Sequence, residues 1–236
     1  MCSNYRPVTR SDRMLTFFGV ERDRDELPAD VWPMGLAPFI RQAEPGSGNK
    51  LIVDDGLFGL LPHFQTELAA GRKTYNARSE TVAQLASYRE SWKKGWRCII
   101  PAESFYEPSY ESGKPVRWHI QLHGAIPMGI AGIYRKWRSP EGEEHFTFSM
   151  ITVNADDHLV MKRFHAPGDE KRMVVILDPA DYGAWLTCPV AEASRFFKQW
   201  HGEFETWAAP LPPRVSKTKK PTAPKPSAPP ATGDLF

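Results

Sequence analysis

The sequence predicts an α+β protein: a single domain on a curved, mainly antiparallel, barrel-like sheet with a few flanking helices, followed by a disordered C-terminal tail. Three observations predict it. Six short segments are apolar or alternating and rich in β-formers, while helical patterns are fewer. The two kinds follow no regular βαβ alternation. Near its end the chain changes composition abruptly.

Taken in order, the expected strands are LIVDDGLFGLL (51–61), RCIIPAESFYE (97–107), VRWHIQL (116–122), PMGIAGIYRKW (127–137), HFTFSMITV (145–153) and RMVVIL (172–177). SETVAQLASYRESWKKG (79–95) reads as a helix from a Ser79 cap to Gly95. DPADYGAWL (178–186) carries a stronger start signal, with Asp178 as cap and Pro179 at the first helical position. VAEASRFFKQW (190–200) gives one more amphipathic helix. The body, residues 1–207, forms one domain without internal repeats. Residues 208–236 hold eight prolines and almost no large apolar side chain before the last two, the composition of a semi-extended tail.

The formal charge of +2 hides an asymmetry. Five of the 30 basic residues and one of the 28 acidic ones lie in the tail, so the body carries 25 against 27. The body is therefore no general polyanion binder, and any hold on nucleic acid needs a local patch of arginines. Three widely spaced cysteines, Cys2, Cys98 and Cys188, argue against a disulfide framework and for a reducing compartment. Cys98 lies in an apolar run and is expected to be buried. The first residues lack the apolar stretch of a signal peptide, and no run of 18 apolar residues exists. A cytoplasmic monomer is expected. No metal and no cofactor is called for: His119 and His123 lie too far apart along a strand for easy joint ligation, and Gly46-Ser47-Gly48 lacks the lysine and helix of a phosphate cradle.

Position 2 carries the most distinctive chemistry. Removal of Met1 would leave an N-terminal cysteine, with an α-amine titrating near about 8 and a thiol near about 8.5. The amine can attack an aldehyde to give an imine, and the thiol can close on that imine as a five-membered thiazolidine. A frayed terminus is the plain alternative. In TYNARSET (74–81), Asn76 can hydrogen-bond a backbone or a base edge and Arg78 can grip a phosphate, although the segment also reads as a helix-capping loop. Glu107 closes the apolar run SFYE, where desolvation would raise its pKa towards neutrality unless it faces water. His165 sits in a polar loop between a short helix and the strand at 173–177, with Arg172 at that strand's mouth.

Met-Cys at the start, NARSET, PAESFYE and a late histidine followed by an RM-strand together resemble the SOS-response-associated peptidase (SRAP) family, the abasic-site-processing proteins. The resemblance spans the whole body. It implies a protein that captures abasic sites in single-stranded DNA by forming a thiazolidine crosslink through Cys2, with AP-lyase chemistry open through the imine. It also implies that Asn76 positions the cysteine, that Glu107 orients or deprotonates the amine, and that His165 is the acid/base for sugar ring opening. Arg78 and Arg172 would hold flanking phosphates, Asn4 would contact DNA weakly, and Phe58 would stack on a base or belong to the core. Arg163 and Lys171 are alternatives to Arg172, because the loop after the histidine is long. Ser3, Asn4, Phe58, Pro108 and Val174 stand where the family pattern commonly has other residues.

The chain ends in Asp234-Leu235-Phe236, which resembles part of the motif that docks bacterial repair proteins on the replication sliding clamp. The tail is thus a candidate tether, with an inert end as the alternative. Two other functions compete with crosslinking. One is a thiol autopeptidase using Cys2, and the other is a non-covalent single-strand binding module.

Overall fold

The computed structural model describes residues 2–23, 27–43 and 50–212. The clamp-like terminus, Asp234–Phe236, and most of the expected tail therefore lie outside the described residues. In chain order the elements are β1 (Asn4–Pro7), α1 (Ser11–Phe18), β2 (Leu36–Gln42), β3 (Leu51–Phe58), β4 (Asn76–Arg78), α2 (Arg89–Lys93) and β5 (Arg97–Ser109). They continue with β6 (Val116–Leu122), β7 (Met128–Arg138), β8 (Glu144–Asn154), β9 (Arg172–Val174), β10 (Ile176–Leu177), α3 (Tyr182–Thr187) and β11 (Phe204–Ala208).

The expected α+β barrel is what the chain forms. Strands β5, β7, β8, β3 and β2 bond in a ring, and β2 returns to β5 through Ile40 and Ile99. Only β3–β8 is parallel in that ring. Closure removes the open edges that a sheet would otherwise present. Its interior is filled by Phe39, Phe58, Phe148 and Met150, while Ile40 and Ile133 are buried on the opposite face of the strands. Phe58 stacks on Phe148 at 5.6 Å and meets Tyr5 edge-on at 5.2 Å. Each such ring contributes about 1.5–3 kcal/mol by leaving water.

β5 is the spine that links core to site. Its first half, Arg97–Ala102, pairs with β7 inside the barrel. Its second half runs out between β1 and β6, so the residues near Glu107 sit where three strands meet at one end. Gly59, at φ +148°, makes a close approach next to the barrel: a Cβ there would run into the carbonyl of Gly71. That contact seats the segment leading to Tyr75 and Asn76.

The helix expected over 79–95 is shorter: residues 79–88 are turns, and only Arg89–Lys93 are α-helical. Val82, Tyr88 and Trp92 are buried there while Leu85 is half-exposed, and local turns set the backbone. Residues 190–196 form a 3-10 helix, not an α-helix. Asp178 does cap its helix start, accepting from the Ala180 amide at 2.9 Å. The expected strand 172–177 is two short strands, β9 on β8 and β10 on β7. Cys98 is buried as expected.

Candidate functional site

Three segments converge at the outer end of β5. β1 runs antiparallel to it, with Asn4 opposite Tyr106, which carries the N-terminal residues towards Glu107. β4 lies parallel to β8, with Asn76 beside Met150. TYNARSET is therefore partly strand, and pairing with β8 fixes Asn76 more firmly than a loop would. The His165 loop is tied to the far end of β5: its amide donates to the Pro108 carbonyl at 2.8 Å, and Phe164 bridges to Ser109.

Cys2 is buried, 1% exposed. Asn76 Nδ2 donates to the Cys2 carbonyl at 2.7 Å, while Asn76 Oδ1 has no partner among the described residues. Tyr88 Oη in turn donates to the Asn76 carbonyl at 2.9 Å. The Cys2 thiol donates to the Asn4 carbonyl at 3.5 Å. Burial pushes that thiol well above the usual range, and the Glu107 charge adds to the rise. Near neutrality it is a thiol, not a thiolate.

Glu107 is 2% exposed, and burial raises its carboxyl from 4.5 to about 7. His165 Nε2 stands 3.3 Å from Glu107 Oε2, both side chains lying almost wholly inside. Burial also lowers the imidazole from 6.5 to about 4, with the Lys171 ammonium acting in the same sense. The backbone of His165 is left-handed, φ +68°, which is uncommon for a residue with a side chain and mildly strained. Neither of its ring nitrogens makes a hydrogen bond among the described residues. At neutral pH the pair is thus a half-protonated acid beside a neutral base. This is an arrangement that can move a proton without creating a second buried charge. A depression of about 280 Å³ reaches Glu107 from outside, bordered by Asn4, Trp32, Tyr106, Pro108 and Arg117.

The remaining expected residues are placed differently. Phe58 is wholly buried in the barrel, so its ring is a core residue here. Asn4 is buried, donating to the Val31 carbonyl and accepting both arms of Arg117 at 2.9 and 2.6 Å. Arg78 is half-exposed and paired with Glu170 at 2.7 Å. Arg172 is 1% exposed; it donates to Thr152, Glu170 and Glu80, and a phosphate would have to displace a carboxylate to reach it. Of its alternatives, Arg163 pairs with Glu111 on the surface, and Lys171 donates to the carbonyls of His165 and Ala166. Sequence reasoning missed Tyr88 and Arg117. Arg117 lies over the Tyr106 ring at 3.3 Å and bonds Asp30 at 3.0 Å, closing one wall of the depression. Its place in the alternating run VRWHIQL marked it as outward-facing, but not as a neighbour of Asn4. No cluster of three or more metal-ligating side chains exists among the described residues. Nor is any helix among them long and apolar enough to cross a membrane.

A sequence profile of the SOS response associated peptidase (SRAP) family matches residues 1–218. The chain belongs to that family. This SRAP chain is 34% identical over 191 residues to the abasic site processing protein YoqW of Bacillus subtilis (strain 168), covering 79% of this chain and 80% of that one. It is 27% identical over 169 residues to the abasic site processing protein HMCES of Gallus gallus, covering 61% of this chain and 50% of that protein. A crystal structure of a Bordetella bronchiseptica protein superposes with a TM-score of 0.81 at 36% identity, covering 89% of this chain and 100% of that one. A Bacteroides thetaiotaomicron structure, at a TM-score of 0.72 and 23% identity, shares the fold.

Proposed function

We propose that this SRAP chain processes abasic sites in single-stranded DNA by covalent capture on Cys2, once Met1 has been hydrolysed away. The observation that carries the reading is the convergence of Cys2, Asn76, Glu107 and His165 at one end of the barrel. Similarity to proteins named for abasic site processing gives the substrate class.

The chemistry follows from the charge states. An abasic sugar is mostly a closed hemiacetal, and opening it needs a proton moved from the anomeric hydroxyl to the ring oxygen. His165, neutral near pH 7, accepts one proton, and protonated Glu107 is the nearby acid. The Cys2 amine then adds to the aldehyde carbon, and loss of water leaves an imine. Because burial keeps the Cys2 thiol protonated, the amine attacks first. The thiol adds second, its sulfur bonding the imine carbon while its proton passes to the imine nitrogen. The product is a thiazolidine, with one water released overall. Strand cleavage by β-elimination is open to the imine and is closed off by ring formation. Asn76 holds the Cys2 carbonyl, so the nucleophile does not swing away. Arg78, on the surface, is the flanking-phosphate contact, with Arg172 behind it through their shared partner Glu170. The expected docking of Asp234–Phe236 on a sliding clamp remains part of the proposal as a tether.

Incubation with single-stranded DNA containing one abasic site, followed by denaturing electrophoresis, tests the reading. A slow-migrating band that disappears in Cys2→Ala is expected. Protein with a verified N-terminal cysteine and no such band would overturn it.

A further inference from the structure

A second depression, of about 420 Å³, lies on the outer face of the sheet made by β1, β5 and β6, beside the one that reaches Glu107. Its lining includes Arg6, Arg10, Arg13, Ser104 and His119, with Glu103 as the one acidic side chain among the described residues. Glu103 is held by both arms of Arg13 at 2.7 Å, and Arg10 pairs with Asp12. Arg6 is exposed and has no ion pair among the described residues. It lies opposite Ser104 in the β1–β5 register. Ser104 is 1% exposed, and its hydroxyl has no hydrogen-bond partner among the described residues. A buried hydroxyl without a partner is costly, and few are left so without reason. An anion seated here would accept from that hydroxyl and pair with the Arg6 guanidinium.

The two depressions share one face. Tyr106 borders the depression that reaches Glu107 and His119 lines the second, and these two are register partners with rings 5.1 Å apart. Ser104, Tyr106 and Pro108 alternate onto the same face of β5, and Ser104 lies about 13 Å along the strand from Pro108 at the rim of the first depression. An extended single strand covers that distance in about two nucleotides.

We propose that Arg6 and Ser104 form a phosphodiester subsite that holds the DNA backbone about two nucleotides from the abasic sugar. The inference rests on the proposed reaction, since it takes the position of the lesion from Cys2. Nothing in the Cys2 chemistry requires it, so the two can fail separately.

The test uses the full chain carrying Cys2→Ala, which blocks capture and leaves reversible binding. Abasic oligonucleotides are prepared with one uncharged methylphosphonate linkage, moved from one position to the next on both sides of the lesion. Affinity is expected to fall about tenfold for one linkage near the second nucleotide and to change little elsewhere. Arg6→Ala should lower affinity by a similar factor, abolish the sensitivity to that linkage and reduce the salt slope by about one unit. Arg6→Lys should restore part of the loss. Ser104→Ala, which removes a hydroxyl without a partner, should keep the melting temperature and weaken binding to the same oligonucleotide. A flat methylphosphonate scan would overturn the subsite. So would tight binding of inorganic phosphate lost in Arg6→Ala without any linkage effect, which would mark a small-anion site instead. If the parent chain forms no crosslink while the scan shows the dip, it is the Cys2 reading that fails.

Discussion

Two buried charged clusters in this molecule are built on opposite plans. Around Arg172, every arm of the guanidinium is used: it donates to the Thr152 side chain and carbonyl, to Glu80 and to Glu170. Around Glu107, the neighbouring His165 keeps both ring nitrogens without a hydrogen bond among the described residues and sits in a strained backbone conformation. The first cluster ties β9 to β8 and to the turn after β4. The second holds an acid and a base whose protonation is displaced by burial. Their difference separates a charge that fastens the fold from an acid–base pair whose protonation burial has displaced.

The largest break in that contrast should come from Glu107→Gln. Capture is expected to fall by about a hundredfold or more in single-turnover assays, as for loss of an acid/base group. Stability should move the other way. The folded carboxyl titrates at about 7 against an ordinary 4.5, so the folded chain holds a proton that the unfolded chain releases between those values. Stability therefore falls as pH rises through that window, by about 3 kcal/mol in full. The variant lacks this loss and should melt higher than the parent at pH 8, with little difference at pH 4. Identical pH profiles would contradict the raised carboxyl.

His165→Asn keeps a residue that tolerates a left-handed backbone and removes the imidazole. Capture should slow about a hundredfold. The folded imidazole titrates at about 4 against 6.5, so the unfolded chain takes the proton first as pH falls. The stability held above pH 6.5 is thus lost as pH drops towards 4, by up to about 3 kcal/mol, and the variant should show a flatter acid limb. Thermal melts from pH 4 to 8 read both effects at once.

On the other side, Arg172→Met should cost about 2 kcal/mol of stability, because it removes the buried donor shared by Thr152, Glu80 and Glu170. Chemical denaturation measures it, and an unaltered midpoint would remove Arg172 from the group that fastens the fold. The smallest effect is expected for Arg78→Ala. Its surface pair with Glu170 contributes about 0–1 kcal/mol, so stability should hold while affinity for single-stranded DNA drops a few-fold.

The contrast also marks what the sequence could tell. The strands at 97–107 and 116–122 were legible because alternation and β-branched residues are local signals. β1, β4 and β11 were not, because each becomes a strand through a partner distant in the chain. Residues 79–88 carried helical spacing, yet pairing of Asn76–Arg78 with β8 left turns where a helix start was expected. Cys2, Asn76, Glu107 and His165 stood out by residue type and order. Their meeting depends on register, which no stretch of sequence contains. Phe58 illustrates the reverse: an aromatic at a strand end can stack on a base or fill a barrel, and only the closed ring of strands decides between them. Arg172 likewise gave no sign of its carboxylate partners, because Glu80 lies 92 residues away.

The most direct test of covalent capture on Cys2 is the intact mass of the protein after incubation with abasic single-stranded DNA, followed by digestion and mapping. The expected species equals the chain without Met1 plus the oligonucleotide minus one water, with the adduct on the peptide that begins at Cys2. An adduct on a lysine, or one of equal yield in Cys2→Ala, would contradict it.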